Sequence, residues 1–333
     1  MGVKGYKAFN KGMICKGKQY KENATYEENG NEICEAGVMH FCENPFDVLD
    51  YYQLVDENGN IPDFADVEAI GDVYKKGNKT ATNKLHIGAK LGLKGFVKAC
   101  VDFTIEKARV ESGKDNETDS SGDYAQIGSS GDYAQIGSSG DYAQIGSSGD
   151  YAQIGSSGYS AQIGSSGDYA QIGSSGDYAK IGSSGDSAQI GSSGDYAQIG
   201  SSGYYAKIGS SGYSAQIGSS GYSAQIGSSG DSAQIGSSGD YTQIGSSGDS
   251  AQITSKGKNS VVMAAGYNSI AKAKIGSWIT LAEWIRTDKT NDSGKYIWIP
   301  KCVKTECVDG ERIKEDAFYK LVDGEFKEVE SEE

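Results

Sequence analysis

The sequence predicts a mainly β protein. Its centre is a parallel β-solenoid, a β-roll with 18 residues per coil. An N-terminal α+β domain precedes it and a C-terminal β-rich cap follows. Three observations carry this. Residues 120–253 repeat one nonapeptide, Ser-Ser-Gly-Asp-Tyr-Ala-Gln-Ile-Gly, fifteen times, and a short fixed period is the mark of a solenoid. Within it Ile recurs every nine residues from Ile127 to Ile253, with Ala two places earlier except at Thr242. After Ile253 the period persists in Gly248, Gly257 and Gly266 while larger apolar side chains enter.

The expected units are 1–110, an α+β domain; 111–253, the solenoid; 254–284, degenerate capping coils; and 285–333, a β-meander tail. In the first unit Ala65–Ile70 alternates as a strand does, and Leu85–Ile87 is a second short strand. Asn44-Pro-Phe-Asp47 is a helix start: Asn44 caps, Pro45 fits the first turn and Asp47 favours the N-terminus. Leu93, Phe96, Val97, Cys100 and Val101 fall at helical spacing, so 93–107 is an amphipathic helix, expected over the open end of the solenoid. Residues 111–119 are a hinge or a degenerate half-coil, the second favoured because Gly113 lies nine before Gly122.

In the repeats, Ala125 and Ile127 share one strand parity and point inward, while Tyr124 and Gln126 point outward. The Gly-Ser-Ser-Gly step is a turn in which Gly supplies positive φ. Two units make one 18-residue coil with two strands and two turns; three units per coil is the rival geometry. A flexible Gly/Ser linker is the other rival, but linkers do not hold Ile in phase. Each Ile contributes roughly 1.5–3 kcal/mol on burial, and stacked coils share their hydrogen bonds. Val261, Val262, Met263, Ile270, Ile275, Trp278, Ile279, Leu281 and Trp284 are expected to cover the last Ile layer. Asp309-Gly310 and Asp323-Gly324 are hairpin signals in the tail.

The net charge is −14 over 333 residues, concentrated in the repeats, where Asp outnumbers Lys. That disfavours direct nucleic-acid binding, which needs a basic face, and suits a protein partner with a basic surface. No 18-residue apolar run is present, so no membrane helix is expected. The N-terminus does not read as a signal peptide, and the six Cys are expected to be reduced thiols in a bacterial host cytoplasm or in a virion-associated protein. Flat solenoid faces make a homo-oligomer plausible.

The expected binding surface is the outward Asp and Tyr columns, including Asp123, Asp132, Asp141 and Asp150 with Tyr124, Tyr133, Tyr142 and Tyr151. Asp is read as a turn cap that accepts a backbone N–H; calcium is the rival, but the spacing departs from the calcium-binding nonapeptide. Tyr rows are read as stacking on the sheet face or as a partner surface; regular Thr, which ice binding favours, is absent. Cys15, Cys34, His40 and Cys42 are weak zinc candidates without a paired C-x-x-C. No cofactor is expected.

The segments Tyr6–Asn10, Cys15–Tyr20, His40–Tyr52 and Asn268–Trp284 resemble a family of uncharacterised proteins from phages and gut Firmicutes, whose N-terminal domain has no assigned function. Residues 259–271 are similar to the head repeats of trimeric autotransporter adhesins, which implies a parallel β-roll. Residues 37–52 resemble the strand-turn-helix of ADP-ribosyltransferases. That resemblance implies Tyr51 or Tyr52 as a ring-stacking residue and Glu68 as the catalytic carboxylate. The leading expectation is a non-enzymatic spacer or interaction protein, in the class of phage-encoded mimics of nucleic-acid charge. The alternatives are an enzyme in residues 1–110 and a virion or surface structural element.

Overall fold

The computed structural model describes residues 2–30, 37–56, 58–108 and 117–330. In the repeats each unit contributes one four-residue strand, and each strand pairs in parallel with the strand 18 residues on, Gln126 opposite Gln144 and Ile127 opposite Ile145. This register settles the coil at two units and excludes the triangular rival. Alternate strands therefore build two eleven-stranded sheets. Strands from Gln126–Ser129 to Gln252–Ser255 lie on one face; those from Gln135–Ser138 to Gln243–Ser246 lie on the other. Ile and Ala fill the space between, as their parity requires.

The glycines work differently from expectation. No repeat glycine has positive φ; the left-handed residue is the Tyr or Ser at the fifth position of the repeat, with φ of +58° at Tyr124 and +54° at Ser160. The turn glycine is required by close stacking instead: a Cβ on Gly158 would sit 1.9 Å from the carbonyl oxygen of Gly140 one coil below.

The head, residues 2–108, holds a four-stranded antiparallel sheet in the order Val3–Phe9, Asp63–Ala69, Lys84–Leu91, Ala24–Glu27. A three-stranded sheet of Met39–Phe41, Lys79–Thr82 and Val73–Lys76 lies beside it. The start at Asn44 holds, since Asn44 accepts a hydrogen bond from the Phe46 N–H. The element it opens is a 3-10 helix, Pro45–Asp50. The single α-helix among the described residues, α1, spans Leu93–Ala108.

α1 does not cover the end of the solenoid. It lies along the flank, on the face whose strands begin at Gln126, which we call the covered face. Its apolar stripe meets the outward glycine column there: a Cβ on Gly146 would be 3.0 Å from Ile105 Cα, and one on Gly164 would be 3.1 Å from Val101 Cα. The amphipathic pattern revealed an apolar stripe but not which surface would bury it. Around α1, outward Gln and Lys side chains of the solenoid bond to the head. Gln162 accepts from Asn44 Nδ2 at 2.9 Å and donates to Asp47 at 3.1 Å. Gln216 accepts from the Leu54 N–H at 2.7 Å, and Lys180 pairs with Asp50.

The half-coil reading of 111–119 is met at Glu117–Ser120, which pairs with Gln135–Ser138; residues 111–116, with Gly113, lie outside the described residues. At the other end Val262, Ile270, Ile279 and Leu281 are buried as caps, but Val261, Met263, Ile275 and Trp278 point outward and are about half exposed. The remaining cover comes from Val308, Ile313, Tyr319 and Leu321. Asp323-Gly324 is a hairpin turn, closing Val322 onto Glu325. Asp309-Gly310 is not one; Asp309 accepts the N–H groups of Glu311, Arg312 and Ile313 and stabilises a loop.

Candidate functional site

Three surfaces concentrate chemistry: the turn columns, the uncovered solenoid face, and a pocket in the head. In the turns, all eleven repeat Asp residues cap, but across coils. Asp123 Oδ1 accepts the Asp141 N–H at 3.0 Å, Asp141 accepts the Tyr159 N–H at 2.8 Å, and the pattern continues to Asp249. Asp132 and Asp150 do the same at the opposite edge. A carboxylate that accepts a backbone N–H makes a charge-assisted bond, so each Asp ties its coil to the next. No group of three or more His, Cys, Asp or Glu suited to a metal occurs among the described residues.

The Tyr side chains stack at these turns and not on a sheet face. Tyr124 and Tyr142 are parallel with centroids 5.0 Å apart, as are Tyr133 and Tyr151. At Ser160, Ser214 and Ser223, which take the left-handed position, a Tyr one place earlier refills the column. Tyr159 bridges Tyr142 and Tyr178, and Tyr213 follows Tyr196. One edge thus carries an unbroken run of rings from Tyr124 to Tyr213 beside a row of carboxylates.

The face whose strands begin at Gln135, the open face, has the same outward columns as the covered one: Gln or Lys, Gly, then Ser. Nothing lies within 4 Å of a Cβ built on Gly155, Gly173, Gly191, Gly209 or Gly227. The glycine column is therefore an empty groove between the Gln and Ser columns, with Lys207 in the Gln row. The difference reaches the core: Ile145 and Ile163 are 0 % exposed, whereas Ile154 and Ile172 are 3 % exposed.

In the head, a pocket of about 570 Å³ gathers residues scattered in sequence: Cys15, His40, Cys42, Tyr51 and Tyr52 all line it. The Tyr52 hydroxyl donates to Cys15 Sγ at 3.2 Å. Burial pushes the Cys42 thiol up to about 12, so it stays a neutral thiol. Burial, with Lys79, Lys7 and Lys16 nearby, lowers His40 to about 4, so its ring is uncharged at neutral pH; its buried Nε2 has no hydrogen-bond partner among the described residues. Glu68 does not line the pocket; it sits on Asp63–Ala69 opposite His86. Cys34 lies outside the described residues.

Sequence reasoning missed the pocket's lysines, Lys7, Lys16, Lys18 and Lys79. Lys7 carried a signal: in Val3–Phe9 it shares parity with Gly5 and Phe9, all three buried. A Lys on the apolar parity of a strand needs a reason.

A domain of unknown function, DUF7666, matches residues 3–99, which is most of the head. No curated protein and no solved structure matches the chain.

Proposed function

We propose that the protein is a non-enzymatic binding scaffold whose open solenoid face receives a protein partner. One observation carries the reading: the two faces share one sequence pattern, and one of them already holds a helix. On the covered face the glycine column lets α1 approach to backbone contact, and the Gln row bonds to polar groups of the head. The open face offers the same groove and the same Gln rungs. Its occupant is a helix with a narrow apolar stripe of the kind α1 presents. The rims add charge selectivity, because both edges carry Asp and Tyr, so the helix has basic flanks and association is steered by charge. The head then serves as a brace that also fixes the covered face.

The test uses the one helix whose fit to this groove type is visible. A stapled peptide of residues 93–108, which carries three Lys against one Asp and one Glu, is titrated into the full-length protein by calorimetry. Saturable binding is expected, lost on Gly191→Trp and weakened between about 50 and about 500 mM salt. Gly191→Trp should leave the melting temperature unchanged, since no atom lies near that Cβ position. Binding that ignores both the substitution and the salt rejects the open face as the docking site.

A further inference from the structure

The pocket in the head gathers positive charge on an otherwise acidic chain. Among the described residues, Lys7, Lys16, Lys18 and Lys79 line it against one carboxylate, Glu28. Glu28 is already taken by Lys18. Among the described residues no carboxylate pairs with Lys7, Lys16 or Lys79. Lys7 is almost fully buried, and its ammonium donates to the His40 carbonyl at 2.8 Å, leaving further donor capacity. Burial lowers its pKa from the ordinary lysine value, the response of a cation without a full counter-charge.

The other half of the lining is aromatic: Tyr20, Phe41, Tyr51 and Tyr52. Lys79 lies 4.2 Å from the Tyr51 ring centroid, so an exposed ring and a cation stand together at the rim. The cavity is about 570 Å³, inside the roughly 300–1,000 Å³ range of small-molecule sites. With His40 neutral, the lysines supply the positive charge, and the buried His40 Nε2, without a partner among the described residues, has room for one hydrogen bond.

We propose that this pocket is a binding site for a small anion that carries a planar ring, the ring packing against the tyrosines and the anionic group held by Lys7, Lys16 and Lys79. The proposal is independent of the open face. A phosphate or a carboxylate meets the same need, so the probes separate them. The full-length protein is titrated with adenosine monophosphate, 4-hydroxybenzoate, inorganic phosphate and adenosine. One of the two ring-bearing anions is expected to bind with a Kd below about 1 mM, and more tightly than phosphate or adenosine alone.

Lys16→Glu and Lys79→Glu sit toward the surface and are chosen because a Lys7 variant risks unfolding the head. Each should weaken binding about tenfold or more, while Lys304→Glu, the same charge change on the far C-terminal hairpin, should not. The proposal is overturned if neither ring-bearing anion binds, if phosphate alone binds as tightly, or if Lys304→Glu weakens binding as much as the pocket variants do.

Discussion

At the scale of single residues, the fifth position of the repeat is the most demanding in the solenoid. It takes φ near +57° in every coil, yet holds Tyr or Ser in the repeats and becomes Asn only at Asn259 and Asn268. A left-handed backbone costs an ordinary L-residue roughly 1–2 kcal/mol, and Asn tolerates it better. Tyr is retained because its ring stacks on the ring one coil away, which offsets the strain. Ser187 has no such return, since Asp186 precedes it and the ring column is broken there. Ser187→Asn should therefore stabilise by about 0.5 kcal/mol and raise Tm by about 1–2 °C. A melting curve with no rise would reject backbone strain as the explanation. The position was legible in the sequence as variable. Its φ was not, because Gly is the usual host for that conformation and two glycines stood close by.

At the scale of elements, α1 and the two sheets make a controlled comparison. Gly164 and Gly173 occupy the same repeat position on opposite faces. A side chain at 164 meets Val101 Cα and Thr104, while one at 173 meets nothing. Gly164→Val should destabilise by about 1–3 kcal/mol through overpacking under the helix. Gly173→Val should be neutral or slightly stabilising, since Val suits a strand better than Gly does. Chemical denaturation of the two variants checks this, and equal effects would mean that α1 does not seat on that column. The helix itself, its length and its apolar stripe were readable from Leu93, Phe96, Val97, Cys100 and Val101. Its seat was not, because flank and end both offer apolar surface to an amphipathic helix.

At the scale of the whole molecule, head and solenoid are joined by the apolar seat of α1 and by polar contacts to the Gln row, and Asp47 makes that union pH-dependent. Burial raises its pKa to about 6, with Asp50 adding and Lys180 opposing. The folded state therefore holds this proton more tightly than the unfolded chain does. Stability is highest below the ordinary aspartate value and falls as pH rises through about 4 to 6. Asp47→Asn keeps an oxygen for Gln162 and Asn44 but removes the titration. It should add about 1–2 kcal/mol at pH 7, after allowance for partial solvent screening, and much less at pH 4. Thermal melts of both proteins at the two pH values decide it: an equal difference at both sinks the account. The same scale produced the head pocket, where Cys15 on the short strand Ile14–Cys15 and His40 on Met39–Phe41 meet Tyr51 and Tyr52 just after the 3-10 helix. The sequence marked Cys15 and His40 as parts of a candidate zinc set and Tyr51 and Tyr52 as ring-stacking candidates, without joining the two sets.

What the sequence determined by itself is everything that depends on period. Nine residues with one Ile in phase dictate strands of one parity, and an Ile core follows wherever coils stack. What tertiary structure decided is which face is used. A repeat gives both faces the same columns, so nothing within it can tell them apart. Only the docking of the head, through α1 on Gly146 and Gly164 and through Asn44, Asp47 and Leu54 on the Gln row, makes one face a foundation and leaves the other free.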